Sequence, residues 1–429
     1  MGFVKTLLNQ WDSASFPRGM APRAKTAQRV WPAVGKKRRI ALCPSRTRVL
    51  CRVVPRVESG KPRAALRAGL AHPRVFLPRR ARFAASTSAP IAVAGGLHFS
   101  EIRAGNTSCA LTPARAAYCW GFSSSGSLGT GTESGPDQCG TSSCATTPKA
   151  VASALQFSTL GVRNYGACGL SSGAQGTAYC WGLNYQGDLG IGDTTGPELC
   201  TGGSACSTVP VAVAGGLSFT ALTAGNGGAC ALTGTGAAYC WGLNAYGQLG
   251  DSTDVDRSAP VAVARGLVFV AVSTGGLHTC GLTSDGSAYC WGWNSNGQLG
   301  TGSSTGPETC LKVGGQPCST VPVRVAGVLQ FTAISVGYNH TCAVTSAGAV
   351  YCWGENGWGE LGTGSTKDAT EPTPVSGELS FVQVTAGSQH TCGVTTAGVA
   401  YCWGRGDYGQ LGNGSTTGSL VPIKVAGQP

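Results

Sequence analysis

Twenty cysteines in 429 residues are the side chains with the most evident chemistry. Thiols at this density serve as zinc ligands, as nucleophiles or as disulfides. Twelve recur as pairs at one place in six similar stretches: Cys109/Cys119, Cys168/Cys180, Cys230/Cys240, Cys280/Cys290, Cys342/Cys352 and Cys392/Cys402. Six more lie in three insertions, as Cys139/Cys144, Cys200/Cys206 and Cys310/Cys318, each following a Gly-Pro-Asp or Gly-Pro-Glu. No Cys-x-x-Cys occurs and no insertion holds a His, which argues against zinc. Nine cross-links account for all eighteen thiols and leave no thiolate nucleophile among them. Such bridges persist outside the cytosol and are rare inside it, so the pairing predicts a secreted or surface-displayed chain.

Other reactive groups are sparse. His278, His340 and His390 each stand two residues before the first Cys of a pair, while Thr107, Gly166 and Gly228 fill that place elsewhere. Three His suit a catalytic zinc site, but these are spread one per unit, so no metal is expected. Asp188 and Glu360 occupy a slot filled by Gln248, Gln298 and Gln410 in sister units, which reads as a tolerant turn position. No Ser–His–Asp, Cys–His or paired-acid arrangement can be assembled, and the Gly-rich turns lack the Lys-Ser/Thr of a phosphate loop. No catalytic residue, cofactor site or metal site is therefore expected. Tyr185, Tyr246, Trp293, Trp358 and Tyr408 could form a row for stacking on sugars. They fall in Asn-x-x-Gly turns without a common register, and packing is the favoured reading.

These groups must be positioned by a repeat. Tyr-Cys-Trp-Gly recurs with its indole at Trp120, Trp181, Trp241, Trp291, Trp353 and Trp403, each expected to pack inside the fold. The units run at about 90–147, 148–209, 210–259, 260–321, 322–373 and 374–429, the longer ones carrying the insertions. From Pro210 to Asp251 the apolar pieces are four to six residues long, rich in Val, Thr, Tyr, Phe and Trp, and bounded by Gly or Pro. That is strand grammar, four strands per unit. With 67 Gly the chain cannot be built on long helices, where each interior Gly costs about 1 kcal/mol. Four short strands per unit predict an all-β propeller; a β-solenoid competes, although its repeats are usually shorter. Pairing Cys342 with Cys352 sets Ala343 opposite Tyr351 and leaves Ser346-Ala347-Gly348 as a hairpin turn ending on the Gly that must take φ > 0.

The run Gly337-Tyr-Asn-His340-Thr-Cys342, with Tyr351-Cys-Trp353-Gly and Asn356-Gly-Trp-Gly359-Glu-Leu361-Gly362, resembles the regulator-of-chromosome-condensation repeat. The resemblance covers about 340 residues, and it implies a propeller in which the His of Gly-x-x-His-Thr is structural and in which seven blades are usual. Six Trp-Gly units are present here, with Pro-led strands at Pro90, Pro148, Pro210, Pro260, Pro322, Pro374 and Pro422. If that strand closes the preceding blade, the one at Pro90 is left over: either the ring closes with six or the gene starts earlier. A plant ultraviolet photoreceptor of this class needs Trp in the Gly-x-x-His-Thr element. Gly276-Leu277, Tyr338-Asn339 and Ser388-Gln389 stand there instead.

Residues 1–86 differ in kind, with 20 Lys and Arg against 2 Asp and Glu, whereas residues 87–429 hold 11 against 17. The basic segment reads as a disordered leader, a transit-like arm or a mis-started frame, and it is the one part suited to nucleic acid. No apolar run is long enough to span a membrane. The function expected is a secreted or cell-surface scaffold, monomeric, binding a protein or glycan through loops on the face that carries the insertions. Guanine-nucleotide exchange with chromatin binding is the family alternative, and a propeller hydrolase or lyase is a further one.

Overall fold

A computed structural model describes residues 87–173, 176–226 and 228–428. It is a six-bladed β-propeller. The fifth blade shows how the sequence builds each one. Phe331–Val336 is innermost, followed outward by His340–Thr345, Val350–Gly354 and Ala369–Pro374, all antiparallel. Cys342 faces Cys352 and Ala343 faces Tyr351, while Gly348 takes φ +82° in the turn between them. Without a Cβ it accepts that conformation at little steric cost.

The other five blades repeat this order, with innermost strands Glu101–Arg103, Phe157–Arg163, Phe219–Ala224, Phe269–Thr274 and Phe381–Ala386. All nine cysteine pairs stand at disulfide distance, with the partners the spacing predicts. Cys109 and Cys119, Cys168 and Cys180, Cys230 and Cys240, Cys280 and Cys290, Cys342 and Cys352, and Cys392 and Cys402 are directly opposite across their hairpins. Their Cα separations are 4.0–4.1 Å. The insertion pairs Cys139 with Cys144, Cys200 with Cys206 and Cys310 with Cys318 lie farther apart, at 5.9–6.0 Å. These are diagonal rather than opposite: Cys144, Cys206 and Cys318 face Asp137, Glu198 and Glu308, two residues before the cysteine they bond.

Neighbouring blades are joined by one repeated contact. Trp181, Trp241, Trp291, Trp353 and Trp403 are fully buried, each against a glycine in the preceding blade's turn. A methyl placed on Gly129 would lie 2.8 Å from the Trp181 ring, and one on Gly190, Gly250, Gly300 or Gly362 would lie 2.7 Å from the next indole. These glycines also sit at φ +67° to +71°, so two independent demands exclude a side chain. On the Trp's own blade, the innermost Phe packs against both aromatic residues, as Phe331 does at 6.0 Å from Trp353 and 6.3 Å from Tyr351.

Three details depart from expectation. The insertions are hairpins: Asp137–Cys139, Glu198–Cys200 and Glu308–Cys310 add a fifth, edge strand to the first, second and fourth blades. The prolines do not lead the outer strands. Pro210 lies inside Ser204–Ala212, where the pairing with Ala178–Leu183 shifts between Ser207 and Val211. It is tolerated there because the edge strand Glu198–Cys200 pairs only with Ser204–Cys206, which leaves the far side at Pro210 outside the ladder. Residues 87–98 around Pro90 form no strand, yet they occupy a defined place. Gly414 donates its N–H to the Ser88 carbonyl at 2.6 Å. The same bond joins each blade's turn to the next blade's outer strand, as in Gly302 to Thr370 at 2.8 Å and Gly364 to Leu420 at 2.9 Å.

Candidate interaction face

In a four-stranded antiparallel blade the first-to-second and third-to-fourth connections emerge at the same end. All six copies of both connections therefore share one face of the disc, and the three insertion hairpins belong to it. Each hairpin is held twice over. Besides its cysteine pair, the acid of the Gly-Pro-Asp/Glu run clamps a Thr on the outer strand. Glu308 accepts the Thr320 N–H at 3.0 Å and its hydroxyl at 2.6 Å, and Glu198 with Thr208 and Asp137 with Thr146 repeat the clamp. Sequence alone marked the recurrence of this acid without its role. Adjacent hairpins also meet, since Glu133 accepts the Thr201 N–H.

The face exposes large apolar side chains. Leu199 and Leu311 on two hairpins are 76% and 79% exposed, and Tyr185 and Trp358 in the turns are 74% and 46% exposed. The packing favoured for Tyr185 and Trp358 is thus corrected: the turn curls its backbone inward around an Asn and leaves the aromatic residue outside. Asn184 and Asn356 are the buried members, each Oδ1 accepting the Leu N–H five residues on, at 3.0 and 2.9 Å. Tyr246 and Trp293 pair across neighbouring blades at 5.8 Å, half-buried. Arg405 lies 4.7 Å from both the Trp358 and Tyr408 ring centres and is paired with Asp407 at 2.7 Å. Arg405, itself buried, thus joins the Trp358 and Tyr408 rings by cation–π contact.

Charge is concentrated here as well. The six third-to-fourth connections are residues 123–141, 184–203, 243–256, 294–315, 355–368 and 405–418. They hold two, three, three, one, three and one acids, 13 of the 17 in residues 87–429, against 3 of the 11 Lys and Arg.

The slot read as a tolerant turn position is buried in every blade, as Ser127, Asp188, Gln248, Gln298, Glu360 and Gln410. From the second blade onward its oxygen accepts the N–H two residues earlier, at 2.9–3.1 Å. The requirement is an acceptor, which is why amide and acid interchange. Acid there has consequences. Burial pushes the Glu360 carboxyl up to about 7, with Glu355 and Asp368 adding to it against the hydrogen bond from Trp358. Asp188 is also raised by burial and is met by the buried Arg163 guanidinium at 3.5 Å. That guanidinium crowds the position where a side chain on Gly166 would start.

His278 and His340 join blades. The Nε2 of each meets a hydroxyl of the next blade, Thr341 at 2.8 Å and Thr391 at 2.9 Å. Burial, then the neighbouring His, holds both rings down to about 3, so they are neutral. His390, Thr107, Gly166 and Gly228 share their register, each facing a Gly of the adjacent strand.

A disc of Cys-Trp-Gly blades gripped by glycine turns defines a class, and the chain belongs to the RCC1-like domain family, whose model matches residues 166–429. Among relatives, it is 32% identical over 210 residues to the ultraviolet-B receptor UVR8 of Arabidopsis thaliana. That match takes in 47% of this chain and 43% of the receptor, so the chain spans less than half of that relative's length. Human WBSCR16 has the same fold, with TM-score 0.65 and 18% identity over 79% of this chain and 84% of that one. Yeast RCC1 (Prp20), solved bound to Kap60, superposes with TM-score 0.61 and 22% identity over 77% of this chain and 75% of its own.

Proposed function

We propose that this protein is a secreted or surface-displayed, non-catalytic scaffold that binds a basic protein on the face carrying the insertion hairpins. The observation that carries the reading is the gathering of exposed Tyr185, Leu199, Leu311 and Trp358 within a field that holds most of the propeller's acids. Aromatic anchors supply contact area at small entropic cost, and an excess of acids over bases steers a partner of opposite charge. The hairpins are stapled and clamped before any encounter, which reduces the ordering cost of binding. Eighteen paired cysteines support an oxidising compartment. A glycan partner is less well matched, because the acids repel the commoner acidic sugars.

The test is affinity capture from extracellular fluid with the parent protein and with a Tyr185→Ser/Leu311→Ser/Trp358→Ser variant. A basic protein retained by the parent, released by salt and lost from the variant is the expected result. Equal capture by both moves the site to the opposite face. Nucleotide exchange on a small GTPase, assayed in parallel, addresses the family alternative; it is expected to be absent.

A further inference from the structure

The face opposite the insertion hairpins has apolar side chains of its own and charge of the other sign. It is formed by the second-to-third turns and by the linkers leading from each outer strand to the next innermost strand. Val268 and Val328 lie in two of those linkers, and Val270 and Val382 stand second in innermost strands; all four are 56–91% exposed. Arg115 lies in a turn, Arg265 in a linker, and Arg324 and Lys424 are the last residues of outer strands. Against these four bases the described turns, linkers and outer-strand ends hold two acids, Asp285 and Glu378. Two of the arginines are kept there at a backbone cost. Arg265 has φ +72° and Arg115 has φ +65°. Sister linkers place Gly215, Gly327 and Gly377 where Arg265 stands, and sister turns place Gly236, Gly286, Gly348 and Gly398 where Arg115 stands, all at φ +77° to +97°. A side chain is strained in this left-handed region, and strain of that kind persists where the side chain serves a purpose. Arg115 spends its Nη1 on the Ser158 carbonyl at 2.9 Å, whereas Arg265 stands exposed three residues before Val268.

The two faces of the disc thus complement each other. One presents Tyr185, Leu199, Leu311 and Trp358 among 13 acids and 3 bases. The other presents four valines within an excess of bases. We propose that the insertion face of one copy docks on the opposite face of a second copy, so that the discs stack head to tail. Each partner brings apolar anchors, and opposite charges steer and orient the encounter. Pairing of two insertion faces is disfavoured, because it brings like charges together. The contact is heterologous: every docked pair leaves one free face of each kind, and a straight stack grows without closing. Stacking rests on the insertion face accepting basic surfaces, as proposed above, and a second copy then competes there with any other partner.

The test is sedimentation of the full chain over a concentration series at low and at raised salt. Oligomers that lengthen with concentration and dissociate in salt are expected. An Arg265→Gly/Val270→Thr/Val328→Glu variant puts at each place the residue type that a sister unit carries, at Gly215, Thr220 and Glu378, so the fold is kept. Alone it should associate about tenfold or more weakly than the parent, and so should Tyr185→Ser/Leu311→Ser/Trp358→Ser. An equimolar mixture of the two variants retains one working face on each partner and should give dimers and nothing longer. A parent that stays monomeric at low salt, variants that assemble as the parent does, or a mixture without dimers would overturn the proposal. Assembly that disappears once trypsin removes residues 1–86 would overturn it too, assigning the insertion face to that basic segment. Capture of a basic extracellular protein by a strictly monomeric chain would overturn stacking while upholding the insertion face as the docking surface.

Discussion

Glu360 stands where three sister blades place Gln, and its carboxyl is held near 7 against an ordinary 4.5. Between those values the native state keeps a proton that the unfolded chain has released. The unfolded state then binds fewer protons, so stability falls as pH rises through the window and the full cost is reached above 7. Glu360→Gln should match the parent at pH 4 and exceed it by about 2–3 kcal/mol at pH 8 in denaturant titration. His278 and His340, with native values near 3, act oppositely: below 6.5 the unfolded chain gains protons that they refuse, so stability rises with pH across that range. Parent and variant share that slope, and it cancels in their difference. A gap that does not grow between pH 4 and pH 8 would contradict the assignment. The slot's residue types were readable in the sequence; its burial was not, because a polar residue between glycines reads as surface until the turn closes over it.

The strands were legible because each alternation is short, β-rich and bounded by Gly or Pro, and because cysteine pairing pinned the hairpin register, as Cys342 opposite Cys352 shows. The edge strands Asp137–Cys139, Glu198–Cys200 and Glu308–Cys310 were not, since three residues carry no period and the clamping acid lies far from its Thr partner. The two kinds of cysteine pair are expected to behave differently. Replacing Cys342 and Cys352 by Ala removes a cross-link from the core and should cost about 2–5 kcal/mol of global stability. Replacing Cys310 and Cys318 should leave the melting temperature nearly unchanged, because an edge hairpin opens locally. Hydrogen exchange would then quicken at Glu308–Cys310 alone. If the edge replacement lowers the global transition as much as the core one, the hairpin is part of the blade's cooperative unit. Alkylation of the native protein should find no thiol in residues 87–429.

Across the whole molecule, trypsin should remove the Lys- and Arg-rich residues 1–86 first and leave the melting temperature of the propeller unchanged. A fall of several degrees would show that they dock on the disc. Six repeat units were legible from Trp120, Trp181, Trp241, Trp291, Trp353 and Trp403, but not whether six blades or seven make the ring, and the aromatic and acidic face emerged only once alternate connections came together in space. The grip between Gly-x-Leu-Gly turn and indole has a direction, always from one blade to the next. Each unit therefore turns its glycine socket toward the unit ahead and its ring toward the unit behind, as in any head-to-tail array. A gene encoding such a wall can gain or lose one unit by recombination and keep every kind of contact, while losing ten residues within a unit ruins two junctions. Copy number is thus the coordinate along which this architecture changes most freely, and chain lengths among its descendants should step by whole units.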